Sequence, residues 1–114
     1  MKTPENVENA LRELASSGNT VNCYIYDTSE MRNKIAHLTE IMPAGVEVFY
    51  AMKANPHAAF LAAALQADAK GIEIASLGEA EKAVAAGFDP SRLIYTGPGK
   101  SPEELNWAVE NSIR

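Results

Sequence analysis

The sequence has one cysteine, Cys23, two histidines, one tryptophan and fewer basic than acidic residues. A lone cysteine excludes an intrachain disulfide and any cysteine-based metal set. The two histidines, His37 and His57, stand far apart with no H-x-x-x-H spacing, so no zinc site is expected. The formal net charge of -5 argues against nucleic acid, because neutralising phosphates needs a basic face; a small-molecule ligand fits better. No apolar run approaches the roughly 20 residues that cross a bilayer. The opening "MKTPENVENALRELASS" also lacks the apolar core of a signal peptide, so the expected setting is cytoplasmic, without a membrane partner.

What is present reads as an ordinary globular chain of 114 residues, 46% hydrophobic and 22% charged, long enough for one core. Thr3 and Pro4 have the look of an N-cap and first helical position, with Val7, Ala10, Leu11 and Leu14 on one helical face until Gly18. "VNCYIY" (21–26) has strand composition, and Asp27, Thr28 or Ser29 can cap a helix whose apolar stripe is Met31, Ile35, Leu38 and Met42. Pro43 and Gly45 close that helix. "VEVFYA", "GIEIA" and "RLIY" then begin at positions 46, 71 and 92, each followed by an Ala-, Leu- and Glu-rich helical stretch. Such strand–helix spacing implies parallel strands joined by right-handed crossovers.

Ser76 with Glu79 and Ser101 with Glu104 each have capping-box spacing directly after a strand, and Pro102 suits a first helical turn. These signals put Ser76, Gly97, Gly99 and Lys100 at the carboxyl ends of the strands, where parallel α/β folds gather their sites. "GPGKS" (97–101) is not a nucleotide phosphate loop, since the glycine a Walker A motif needs falls on Ile94. His57 reads as either a functional imidazole or a solvent-facing first-turn residue, and Leu105 and Trp107 as helix packing. Glu73 alternates with Ile72 and Ile74, so it faces away from their core. Lys53 follows the apolar "FYAM" run; it is either a lysine snorkelling to water or an amine that a desolvating apolar setting keeps neutral for Schiff-base chemistry.

Four motifs in order, "YIYD" (24–27), "FYAMKAN" (49–55), "GIEIASLGE" (71–79) and "AAGFDPSRLIYTGPGKSPEEL" (85–105), resemble the amino-terminal part of the pyridoxal-phosphate-dependent decarboxylases that share the alanine racemase barrel. That group acts on diaminopimelate, ornithine and arginine. Alanine racemases themselves fit less well, because "ANPHAAFL" follows the lysine here in place of their Tyr-Gly-His stretch. The resemblance runs from about residue 21 to the end.

It implies an α/β fold, a partial (β/α)8 TIM-type barrel of about three β/α units with a leading strand of a separate β-domain. Residues 1–20 would be a lead-in helix, 21–45 a strand and helix before the barrel, and 46–114 its first units. It implies pyridoxal 5'-phosphate as cofactor, with Lys53 its Schiff-base lysine and Ala51, Asn55, Glu73 and Ser76 lining its pocket. Glu73 stands where the family usually has aspartate. The implied activity is removal of the α-carboxylate of an amino acid such as diaminopimelate, ornithine, or a siderophore or polyamine precursor, by a homodimer when complete. A full barrel takes about 250 residues, so this chain alone is expected to be inactive. The alternatives are a non-catalytic pyridoxal-phosphate-binding or regulatory relative and a cofactor-free Schiff-base aldolase.

Overall fold

The computed structural model describes residues 3–18 and 20–114, so positions 1, 2 and 19 of the expected lead-in lie outside the described residues. Five helices and three strands follow in the order α1 (Glu5–Ser16), α2 (Thr28–Ile41), β1 (Phe49–Ala51), α3 (Ala58–Gln66), β2 (Gly71–Ile74), α4 (Leu77–Ala85), β3 (Leu93–Tyr95) and α5 (Pro102–Glu110). Short 3-10 turns, Met52–Ala54 and Pro90–Arg92, follow β1 and precede β3.

The strands form one parallel sheet in the order β1-β2-β3. Its register pairs Ala51 with Glu73 and Glu73 with Ile94, and on the alternate positions Tyr50 with Ile72 and Ile74 with Tyr95. Paired residues of a parallel ladder point the same way, so each set marks a face. Ile72, Ile74 and Leu93 are fully buried and meet Met52, Leu61, Ala64, Ala80, Ala83 and Phe88 in the core. The opposite face carries Phe49, Ala51, Glu73 and Ile94, all only half-buried. Alanine dominates the helix side because its small side chain brings α3 and α4 close to the sheet.

Gly71 is fixed by crowding, since a Cβ there would stand 1.7 Å from the Arg92 carbonyl oxygen and 2.7 Å from the Phe49 ring. Arg92 ties the same end together by donating from Nε to the Lys70 carbonyl at 2.7 Å. At the outer edge of β3, Tyr95 N donates to Arg114 O at 2.8 Å and Arg114 N to Leu93 O at 3.2 Å, a parallel ladder in miniature.

Several boundaries differ from expectation. Residues 21–26 have no ladder partner among the described residues, and Tyr24 is 88% exposed, so the expected leading strand pairs with nothing here. Strand composition promises a half-buried surface, and the partner that would supply it is not in this stretch. Pro4, not Thr3, is the N-cap of α1, with Val7 and Glu8 N–H groups donating to its carbonyl. The apolar stripe of α1 stays uncovered, with Leu11 and Leu14 both exposed. Asp27 caps α2 through Ser29 N at 2.8 Å, and Met42 leaves the helix in an extended conformation because Pro43 follows. Leu105 lies half out of the structure, whereas Trp107 packs on the core.

Candidate functional site

The carboxyl ends of the three strands form the rim where the sequence motifs converge. β1 stops at Ala51, and the following 3-10 turn buries Met52 completely while turning Lys53 outward. The anchor below and the amine above are thus adjacent residues of one tight turn. Lys53 is not desolvated, as an apolar strand end would require: its side chain is 69% exposed, and its neighbour is a carboxylate, with Nζ 3.4 Å from Glu73 Oε1.

Glu73 reaches this pairing from the middle of β2, on the open face of the sheet. Its side chain is 18% exposed, and Oε1 also accepts the Thr96 hydroxyl. Ala51 flanks it in register. Strand alternation brings Ala51, Glu73 and Thr96 to one face, while the turn after β1 brings Lys53 to the same rim.

Asn55 and Ser76 have local duties. The Asn55 side-chain oxygen accepts from His57 N at 3.0 Å, its carbonyl accepts the Tyr50 hydroxyl at 3.1 Å, and it lines a separate cleft of about 320 Å³ with Tyr26, His57 and Phe60. His57 is neither a lone imidazole nor merely solvent-facing; Nδ1 accepts from Ala59 N at 3.2 Å and caps α3. Ser76 Oγ accepts from Glu79 N at 3.2 Å, capping α4, but the Glu79 carboxylate takes Ala75 N at 2.8 Å in place of Ser76 N. That pair is therefore half a capping box. Ser101 and Glu104 make the full reciprocal box.

Glu104 does more than close its own helix. Oε1 accepts the Tyr95 hydroxyl at 2.5 Å and Leu77 N at 3.3 Å, while Oε2 accepts Ser101 N at 2.9 Å. One carboxylate thus ties β3 to the first turns of α4 and α5. Its hydrogen bond from Tyr95, then those from the Ser101 and Leu77 N–H groups, hold its carboxyl below the usual carboxylate value. Burial, then the Glu104 carboxylate, pushes the Tyr95 hydroxyl up to about 12. Lys100 lies 4.7 Å from the Tyr95 ring centre and donates to the Thr96 and Gly97 carbonyls at 3.2 and 2.9 Å, so the "GPGKS" cation is turned inward.

Of the five residues singled out from sequence, the structure joins Lys53, Glu73 and Ala51 and gives Asn55 and Ser76 to helix starts. Thr96 and Tyr95 were not singled out, and Glu104 was read only as a helix-capping residue. Thr96 was discoverable, because it follows Ile94 by two positions and so falls on the face of Glu73. Among the described residues no group of three His, Cys, Asp or Glu side chains is arranged to hold a metal ion, and no helix is long and apolar enough to cross a membrane.

Residues 28–114 match the pyridoxal-binding domain of the pyridoxal-dependent decarboxylases. The chain is 35% identical over 109 residues to a 2-[(L-alanin-3-ylcarbamoyl)methyl]-2-hydroxybutanedioate decarboxylase of Staphylococcus aureus, covering 95% of this chain and 26% of that protein. It is 34% identical to the diaminopimelate decarboxylase of Zymomonas mobilis over 90% of this chain and 25% of that one. Diaminopimelate decarboxylase from Helicobacter pylori, solved with L-lysine, superimposes with a TM-score of 0.73 at 28% identity, over 90% of this chain and 26% of that structure. The chain spans about a quarter of the length of these relatives. The similarity to the Staphylococcus protein extends before residue 21, into a stretch where the motifs carried no resemblance.

Proposed function

Because this chain belongs to the pyridoxal-dependent decarboxylase family through its pyridoxal-binding domain, we propose that it is the amino-terminal part of an enzyme that removes a carboxylate from an amino acid with pyridoxal 5'-phosphate. Residues 46–114 supply the first units of the barrel, preceded by a lead-in segment (1–20), whose helix is α1, and by a strand and helix (21–45). The observation that carries the reading is the Lys53 amine, exposed at the carboxyl rim and 3.4 Å from the Glu73 carboxylate.

When bound, the cofactor supplies an aldehyde that combines with amines and a ring that accepts the electrons left as carbon dioxide departs. Lys53 is the amine that meets the aldehyde. Glu73 Oε1, 3.4 Å from Nζ, would orient that amine and take a proton it gives up. Ala51 flanks Glu73 in register, and Asn55 and Ser76 hold the two flanking loops of the pocket wall. The residues present fit the aldehyde end of the cofactor. Glu79 accepts from Ala75 N, and Glu104 from Leu77 N and Ser101 N, so these three N–H groups are already engaged and would not serve the cofactor's phosphate.

The named substrates of the relatives support an amino acid with a second polar end as the substrate class. The complete enzyme is cytoplasmic and homodimeric on this reading, and the family resemblance supports the second. A cofactor-free aldolase gains nothing from a match to a pyridoxal-binding domain.

Borohydride reduction of the complete protein with pyridoxal phosphate, followed by peptide mass mapping, tests the proposal. The label is expected on Lys53 alone, and Lys53→Ala is expected to lose both the label and carbon dioxide release. Comparable labelling of Lys34, Lys70, Lys82 and Lys100 would overturn it.

A further inference from the structure

Thr96 stands one residue beyond β3, and its backbone N–H donates to the Ile74 carbonyl at 2.9 Å. The hydroxyl is 3.4 Å from the same Ile74 oxygen, at the outer limit of a hydrogen bond, and much closer to Glu73 Oε1. Its single proton goes to the carboxylate. Glu73 Oε1 then has one lone pair on threonine and the other facing Lys53 Nζ at 3.4 Å.

Magnitudes decide what this second donor is for. An ion pair whose lysine is 69% exposed is a weak restraint, because water screens it and both side chains lose rotamer freedom. Glutamate has one more torsion than aspartate, so it can swing its carboxylate away from the amine. A neighbouring hydroxyl on a rigid strand end removes that freedom.

We propose that Thr96 is a positioning residue for Lys53: its hydroxyl fixes Glu73 Oε1 against the amine, and keeps the carboxylate at the rim when the amine is engaged elsewhere. This rests on the reading of Lys53 given above. Thr96 acts through Glu73, its hydroxyl standing on Oε1 and not on the amine.

The test uses the complete protein freed of cofactor, trace-acetylated with acetic anhydride, with Lys34 in α2 as internal standard for Lys53. Thr96→Val keeps the shape and removes the donor. It is expected to change the Lys53-to-Lys34 acetylation ratio by about 3- to 10-fold, the range one ordinary hydrogen bond gives. Thr96→Ser restores the original ratio, and in a Glu73→Gln background Thr96→Val adds nothing, since the route between the two residues is already cut. A ratio unmoved by Thr96→Val, or moved equally in the Glu73→Gln background, overturns the proposal. Should Thr96→Val fail to fold, Thr96→Ala is read on the same ratio. If pyridoxal phosphate never captures Lys53 yet the ratio depends on Thr96, the cofactor reading fails and the positioning role stands.

Discussion

Tyr95 carries its hydroxyl into the seam between β3 and α5, and its ionisation is the clearest electrostatic signature of a single residue here. The hydroxyl is raised to about 12 by burial and by the Glu104 carboxylate. A raised value means that the neutral form is favoured in the folded state. The stabilisation is complete below the ordinary tyrosine value of 10.0 and is lost as pH rises through about 12. Absorbance titration at the tyrosinate band should therefore contain a late component that disappears in Tyr95→Phe; a titration unchanged by that substitution would contradict the Tyr95–Glu104 contact. At this scale the sequence was informative where alternation alone decides. Glu73 was legible as facing away from Ile72 and Ile74, and the structure puts it on the open face. Lys53 was legible as a rim residue, and of the two settings left open for it, reaching to water or desolvated, the structure gives the exposed one. That depends on a 3-10 turn after Ala51, which the apolar run before the lysine conceals.

At the scale of elements, the helix starts divide the labour of the rim. Glu104 holds two of them, so its titration couples α4 and α5. Its carboxyl is held below the ordinary 4.5, and a depressed value contributes stability that is present above 4.5 and is lost as pH falls through the lowered value. Glu104→Gln should be less stable at neutral pH, and its acid unfolding followed by circular dichroism should show a flatter acid limb than the wild type. An identical acid limb in the variant would remove Glu104 as the link. The caps were readable from the S-x-x-E spacing because a cap is local chemistry, carried by residues three apart. What spacing cannot reveal is which N–H group the glutamate chooses, and Glu79 chose Ala75. The three β/α units were readable for the same local reason. Residues 21–26 carry no ladder here because a strand exists only with a neighbour, and the expected one belongs to a separate β-domain that is not among the described residues.

The whole molecule is looser than its length requires. Its radius of gyration is 17.1 Å, whereas a compact chain of this length would be about 13 Å. The excess comes from α1, whose apolar stripe is uncovered, and from a sheet with a core on one face only. Leu11, Leu14, Val21, Tyr24 and Val46 are all exposed. Surface of that kind on an isolated chain binds apolar dyes and favours association. Expressed alone, the 114-residue chain is expected to bind anilinonaphthalene sulfonate and to elute from size exclusion as more than a monomer. A dye-silent monomer would mean that α1 and the open face find cover within the chain.

The edge-on pairing of Arg114 with β3 also bears on how such a sheet is made. Spatial order equals chain order, β1-β2-β3, so each strand joins a neighbour delivered one unit earlier. Closing such short loops costs little entropy at each step. A ribosome delivers the strands in that same sequence, so every newly emerged strand meets an edge already laid down. Assembly can then proceed as the polypeptide leaves the tunnel, and the Lys53–Glu73 pair is set by the second strand.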